Sequence, residues 1–290
     1  MASAHSLLPH ARQPSSSSVQ SLSFGHMNVP CRFCGAKHWL AEKVEGSNSS
    51  PIFSHCCHRG SVILAPLPPP PLPIHSLLAD QTAQGRHFRR HIRQYNCSFA
   101  FTSFRSDHND VNLNGHRPWM WKTGYQIYHS AGTLIPADRE QPSYAQLYFY
   151  DANDALNHRK RRNPNLRSQL LDTIQQSLCL CNPFSHVFLN AHDILRQQRF
   201  GNLAIRIVAD PEKDQRRYNP PTVDEIAVVI VGNDQQVNDG RDIILRPRDG
   251  GLQRISDLHS AYAPLHYVLL FPLGTPGWNP SLKLRRTTTK

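Results

Sequence analysis

The stretch "CRFCGAKHWLAEKVEGSNSSPIFSHCC", residues 31–57, opens and closes on paired cysteines and holds four of the chain's seven. Cys31-x-x-Cys34 has the spacing at which one tight turn aims two sulfurs at a single tetrahedral ion, at about 2.3 Å each. Cys56 and Cys57 follow after an intervening polar run, flanked by His55 and His58. Four thiolates make a closed shell with no coordination position left for water, so such a site is structural rather than catalytic. If the adjacent Cys56 and Cys57 do not both reach the ion, His38, His55 or His58 is the alternative fourth ligand. A redox CxxC needs a βαβ context that is missing here. Unligated buried cysteines fit poorly beside so many Lys, Ser, Asn and His residues. The expectation is one structural Zn2+ on Cys31, Cys34, Cys56 and Cys57, contributing on the order of 10 kcal/mol to folding a segment with little core of its own.

Outward from this knuckle, the chain of 290 residues carries 23 prolines, so part of its length reads as linker around one core. Lys and Arg number 32 against 21 acids, a net charge of +11. That excess favours an anionic partner, nucleic acid first and a membrane surface second. No apolar run approaches the roughly 20 residues a membrane-spanning helix needs. Residues 1–27 lack the apolar centre of a secretory signal and read as a disordered leader, with a weak likeness to an organellar transit peptide. An odd number of cysteines in a reducing compartment is not a disulfide framework.

The expected organisation is a zinc-knuckle-like segment over 28–64, a Pro-rich linker over 65–85, an α+β domain over 86–278 and a disordered tail over 279–290. Within the linker, residues 66–73 read as a polyproline II spacer. "RHFRRHIRQY" (86–95) follows helical spacing, with Phe88, Ile92 and Tyr95 on one face and Arg86, Arg89, Arg90 and Arg93 on the other. With no acid among them, those four guanidinium groups suit a phosphate backbone. Asp151 or Asn153 caps a helix carrying Arg159, Lys160, Arg161 and Arg162, a second candidate nucleic-acid contact. Two amphipathic helices follow, around 166–178 and 184–195, broken at Asn182-Pro183. Strands are expected at 99–104, 125–129, 145–151, 203–210, 225–232, 241–245 and 265–272. Strands, helices and strands again without regular alternation predict an α+β fold.

A phosphate-binding P-loop, Gly-x-Ser-x-Gly and His-Glu-x-x-His are all missing from the sequence. No His-x-His pair is present to hold a divalent ion for strand nicking. Tyr144 and Tyr148 superficially resemble a paired-tyrosine nucleophile, though aromatics in a β-like run are usually core. Trp119, Trp121 and Tyr125, beside His116, Arg117 and Lys122, offer either base-stacking surface or core. The residues read as a binding module without an active site of its own.

Several segments taken together carry a resemblance: "CRFCGAKHWLAEK", "FSHCCHRGSVIL", "HIRQYNCSFAFTSF", "GYQIYHSAGTLIP", "AQLYFYD", "DQRRYNPPTVDEIAVVIVG", "RDIIL" and "YAPLHYVLLFPLGTPGW". In this order, over about residues 28–278, the chain resembles the N-terminal region of Helitron proteins, the replication-initiator (Rep)/helicases of rolling-circle transposons. The resemblance implies a zinc-knuckle-like segment on Cys31, Cys34, Cys56 and Cys57 within a DNA-binding region. It also implies action in the nucleus on single-stranded transposon ends. The family's nuclease and helicase motifs belong to later segments, and "LKLRRTTTK" does not continue the pattern. The expectation is therefore a truncated, non-enzymatic DNA-binding piece, with a Rep/helicase protein supplied in trans. The alternatives are a nicking enzyme and a non-functional transposon fragment.

Overall fold

The computed structural model describes residues 23–62, 67–106, 126–196, 203–208, 227–231, 242–247 and 251–282. Residues 1–22 of the expected leader, 283–290 of the expected tail and the His116–Tyr125 stretch lie outside the described residues, as do the outer residues of several strand-like runs. The fold is mixed α+β, with helices and small antiparallel sheets. The chain divides after Pro66 into two compact units, the second being Leu67–Leu282.

In the first unit, β1 (Val29–Pro30) pairs antiparallel with β2 (Lys37–His38), and the intervening loop carries Cys31 and Cys34. A 3-10 turn at Leu40–Glu42 leads to a second hairpin of β3 (Glu45–Gly46) and β4 (Pro51–Ile52). Two-residue strands have negligible stability alone. The apolar centre is correspondingly small: Phe53 with Cys31 and Cys57, bordered by Val29, Cys34, Ala36 and Cys56. The His38 ring stacks on Phe53 at 4.1 Å. Glu42 Oε2 lies 3.0 Å from His38 Nδ1 and accepts the Trp39 N–H, which fixes the ring in place.

The second unit begins with α1 (Leu72–Ala79), α2 (Ala83–Arg90) and α3 (Ile92–Phe99). The 65–85 stretch expected to be a linker is thus largely helical: Pro73 sits in the first turn of α1, where its missing N–H is harmless, and Ile74 and Leu77 are buried. The single helix expected over 86–95 is instead two, because His91 (φ −110°, ψ 17°) leaves the helical region between them. Phe88 and Tyr95 still meet, with ring centroids 5.5 Å apart.

β5 (Ser103–Ser106), β6 (Ile127–Ala131) and β10 (Gln253–Ile255) form an antiparallel sheet in the order β10-β6-β5. β7 (Leu203–Ile207) lies between β8 (Ala227–Val231) and β9 (Ile243–Leu245) in a second one. Between them in sequence come α4 (Ala152–Arg162), α5 (Ser168–Cys181) and α6 (Pro183–Arg196). Asp151, rather than Asn153, caps α4, accepting the Asn153 N–H at 2.9 Å. Asn182 Oδ1 accepts the N–H groups of Phe184 and Ser185, so that α6 starts with Asn182 alone between it and α5. α6 packs on β7 and β8.

Two expected strands take other forms. Tyr144–Phe149 is a 3-10 helix packed against α6, with Ala145, Leu147, Tyr148 and Phe149 all buried. Three consecutive buried side chains do not fit the two-sided alternation of a strand. The 265–272 run instead contains the end of α7 (Tyr262–His266) followed by turns. Asn96 of α3 takes the backbone groups a neighbouring strand would need, donating to His266 O at 2.8 Å and accepting the Leu269 N–H at 3.1 Å.

Candidate functional site

The first unit brings the four cysteines of the opening stretch to one point. The Sγ atoms of Cys31, Cys34, Cys56 and Cys57 all lie within 4.8 Å of one another. Cys31 to Cys57 and Cys56 to Cys57 are each 3.8 Å apart, far beyond a disulfide bond. A tetrahedron with metal–sulfur bonds of about 2.3 Å has edges of about 3.8 Å. The four residues therefore fit a four-coordinate metal ion. No histidine nitrogen joins the cluster among the described residues; His55 and His58 are exposed, and His38 is held by Glu42.

Local backbone geometry explains the convergence. Cys31 N–H donates to Ala36 O at 2.7 Å and Gly35 N–H to Cys31 O at 2.8 Å, closing a tight turn around the first pair. Adjacent Cys56 and Cys57 both reach the centre on a turn in which His58 and Arg59 adopt positive φ, 49° and 57°. That turn ends at Gly60, whose N–H donates to Cys57 Sγ at 3.2 Å. Gly60 has φ +84°, and a Cβ there would meet the Phe33 ring at 2.7 Å, so Phe33 from the first turn lies directly on the second. Phe33 and Gly60 are the site residues that ligand spacing does not identify; the Gly after each cysteine turn was the available signal.

The electrostatics are those of thiols crowded around a common centre. Burial pushes the Cys31 thiol up, yet the Phe33 and Cys34 N–H groups and the neighbouring thiols outweigh it and lower its pKa from 9.0 to about 7. Cys56 is pushed up to about 12, first by burial and then by Cys34 and Cys31, and Cys57 is raised by burial as well. Several thiolates so close together repel unless a cation lies among them, and an all-sulfur donor set selects soft, thiophilic metals. Cys97, Cys179 and Cys181 belong to α3 and α5 of the second unit and are not members of this cluster.

The basic residues are dispersed in their roles. Arg86, Arg90 and Arg93 are exposed on α2 and α3, and Arg161 and Arg162 on α4, with Lys160 half-buried. Arg86 donates to Gln81 O. Arg162 donates to Gln141 O at 3.0 Å and Arg161 to Asn157 O at 3.4 Å. None of these is in an ion pair with an acid among the described residues. Arg89 is half-buried and donates to the Leu78 and Asp80 carbonyls, sealing the end of α1. Arg159 departs most from the sequence reading: it is only 1% exposed and is no surface contact. Its guanidinium lies over the Phe99 and Tyr148 rings, donates from Nε to Ser98 O at 3.0 Å and from Nη1 to Gln175 Oε1 at 2.7 Å. Tyr148 is likewise buried, donating to Phe99 O, and its phenol is pushed up to about 12, which makes it a core residue rather than one of a nucleophilic pair.

No protein-family model matches the chain, and no curated protein matches it.

Proposed function

We propose that this protein is a zinc-stabilised module that binds single-stranded DNA and does not itself cut it, akin to the N-terminal region of Helitron proteins and acting in the nucleus. The observation that carries the reading is the four-sulfur cluster, whose atoms all lie within 4.8 Å of one another and in which the Cys31–Cys57 and Cys56–Cys57 edges of 3.8 Å match a tetrahedral zinc–thiolate site. Zinc is favoured because it takes four thiolates in this geometry and forms closed structural sites. The DNA partner is supported by the net charge of +11 and by exposed arginines on α2, α3 and α4 that pair with no acid among the described residues. Catalysis of transposition, in this reading, is supplied by a separate Rep/helicase protein.

Metal analysis together with a salt titration tests it. The expected result is one zinc per chain. If Arg86, Arg90, Arg93, Arg161 and Arg162 each neutralise a phosphate, log K against log salt has a slope of about −3.5 on single strands. Purified protein free of metal after zinc loading, or DNA binding indifferent to salt, would sink the proposal. Metal-dependent cleavage of single-stranded DNA, lost in a Tyr144→Phe/Tyr148→Phe variant, would move the protein to the enzymes.

A further inference from the structure

Arg159 poses a physical problem that its known contacts leave unsolved. A buried cation is normally paired with a carboxylate. Arg159 has no acid partner among the described residues, and its third nitrogen, Nη2, has no hydrogen-bond partner. It lines a cavity of about 150 Å³ together with Cys97, Ser98, Tyr144, Leu147, Arg162 and Asn163. The lining therefore contains two guanidinium groups, a phenol, an amide and no carboxylate.

Two further arginines act electrostatically on groups of the cavity wall. Burial raises the Tyr144 phenol's pKa while Arg162 and Arg105 both act to lower it, which puts Arg105 of β5 within electrostatic reach of the cavity wall. Arg93 acts in the same way on Cys97, an exposed thiol of the wall whose pKa partial desolvation raises. Arg93 and Arg105 are exposed, so positive charge faces solvent near a cavity whose own lining includes Arg159 and Arg162. Tyr144 itself holds φ at +51°, a conformation bulky side chains rarely adopt and one found preferentially at ligand sites. Gln94 of α3 ties the walls together, donating to Asn163 Oδ1 at 3.2 Å and Asn165 Oδ1 at 2.8 Å.

We infer that this cavity is a seat for a phosphate group, the terminal phosphate of a polynucleotide strand. Its size decides between ligands: at about 150 Å³ it falls well below the roughly 300 Å³ of a small-molecule pocket, so it admits a single oxyanion but not a nucleoside. A phosphodiester within a strand carries a sugar on each side and cannot be drawn in toward a buried guanidinium, whereas an end phosphate can. Arginine's planar fork suits the group's oxygens, and Arg93, Arg105 and Arg162 guide its approach. The inference deepens the proposed DNA binding and rests on it for the source of the phosphate.

The test uses the full zinc-loaded chain, inorganic phosphate as the minimal probe, and one single-stranded oligonucleotide with either a 5′-phosphate, a 3′-phosphate or hydroxyls at both ends. Phosphate is expected to raise the thermal midpoint. One phosphorylated oligonucleotide is expected to bind roughly tenfold more tightly than the hydroxyl form. Arg162→Gln, at an exposed position, should bring that ratio close to one, and Arg159→Met should do so too where it folds. Equal affinity for all three oligonucleotides, with no protection by phosphate, overturns the seat while leaving DNA binding intact. Protection by phosphate with no binding of any oligonucleotide overturns the polynucleotide as its source, and the DNA-binding reading with it.

Discussion

Withdrawing metal from the four-cysteine centre should unfold one unit of this protein and leave the other standing. The first unit's buried apolar centre is Phe53, Cys31 and Cys57, and two of those three are metal-ligand candidates. The second unit's core is a separate cluster, 32 buried side chains among the described residues, that includes Phe101, Phe184 and Phe188. One ion bound only by the folded form stabilises it by RT ln(1 + [L]/Kd), so each tenfold fall in free metal should cost the first unit about 1.4 kcal/mol. The slope is one ion's worth because the four sulfurs form one site. Hydrogen exchange read by mass spectrometry over a series of metal buffers measures this directly. The reporters are the amides of Cys31, Gly35, His58, Gly60 and Val62, all hydrogen-bonded in the folded turns. Their protection should fall together, tenfold per decade of free zinc, while amides within α5 stay constant. If they remain protected in metal-free protein, hydrophobic packing alone holds the unit and the argument fails. If α5 loses protection in parallel, the two units are not energetically separate.

Three other outcomes follow from particular residues. Gly60→Ala forces a Cβ against the Phe33 ring at φ +84°; it should lower stability of the first unit by more than about 1 kcal/mol and weaken zinc retention in a chelator competition, whereas Gly35→Ala, with open space around it, should cost less. Arg159→Ala strands Ser98 O and Gln175 Oε1 and empties the space between two rings, a loss of about 3–5 kcal/mol in urea melts; Arg159→Met keeps the volume and sheds the desolvation cost, so it should lose markedly less. His129 is 2% exposed and stacks on His266 and Tyr262, and burial, then the charge of His266, lowers its pKa from 6.5 to about 4. The unfolded chain takes up that proton first as pH falls, so stability of the second unit should be full above pH 6.5 and decline toward pH 4. A His129→Phe variant should flatten that decline in pH-dependent melts.

The sequence alone determined whatever rests on local pattern. Cys31, Cys34, Cys56 and Cys57 stand out by spacing, and Asn182-Pro183 ends one helix and starts another because a side-chain acceptor and a missing N–H act within a single turn. The α+β class follows in the same way from the order of periodic segments. Partners distant in the chain decided the rest. The apolar run after Leu265 has strand composition, yet Asn96, far away in the chain, claims its backbone groups, and short apolar runs carry no periodicity strong enough to resist. Arg159 reads as one more cation in a basic helix end, and only the packing of α4 against Phe99, Tyr148 and Gln175 takes it out of water. Burial is a property of what surrounds a side chain, and for a long charged one its own neighbours in sequence carry almost none of that information.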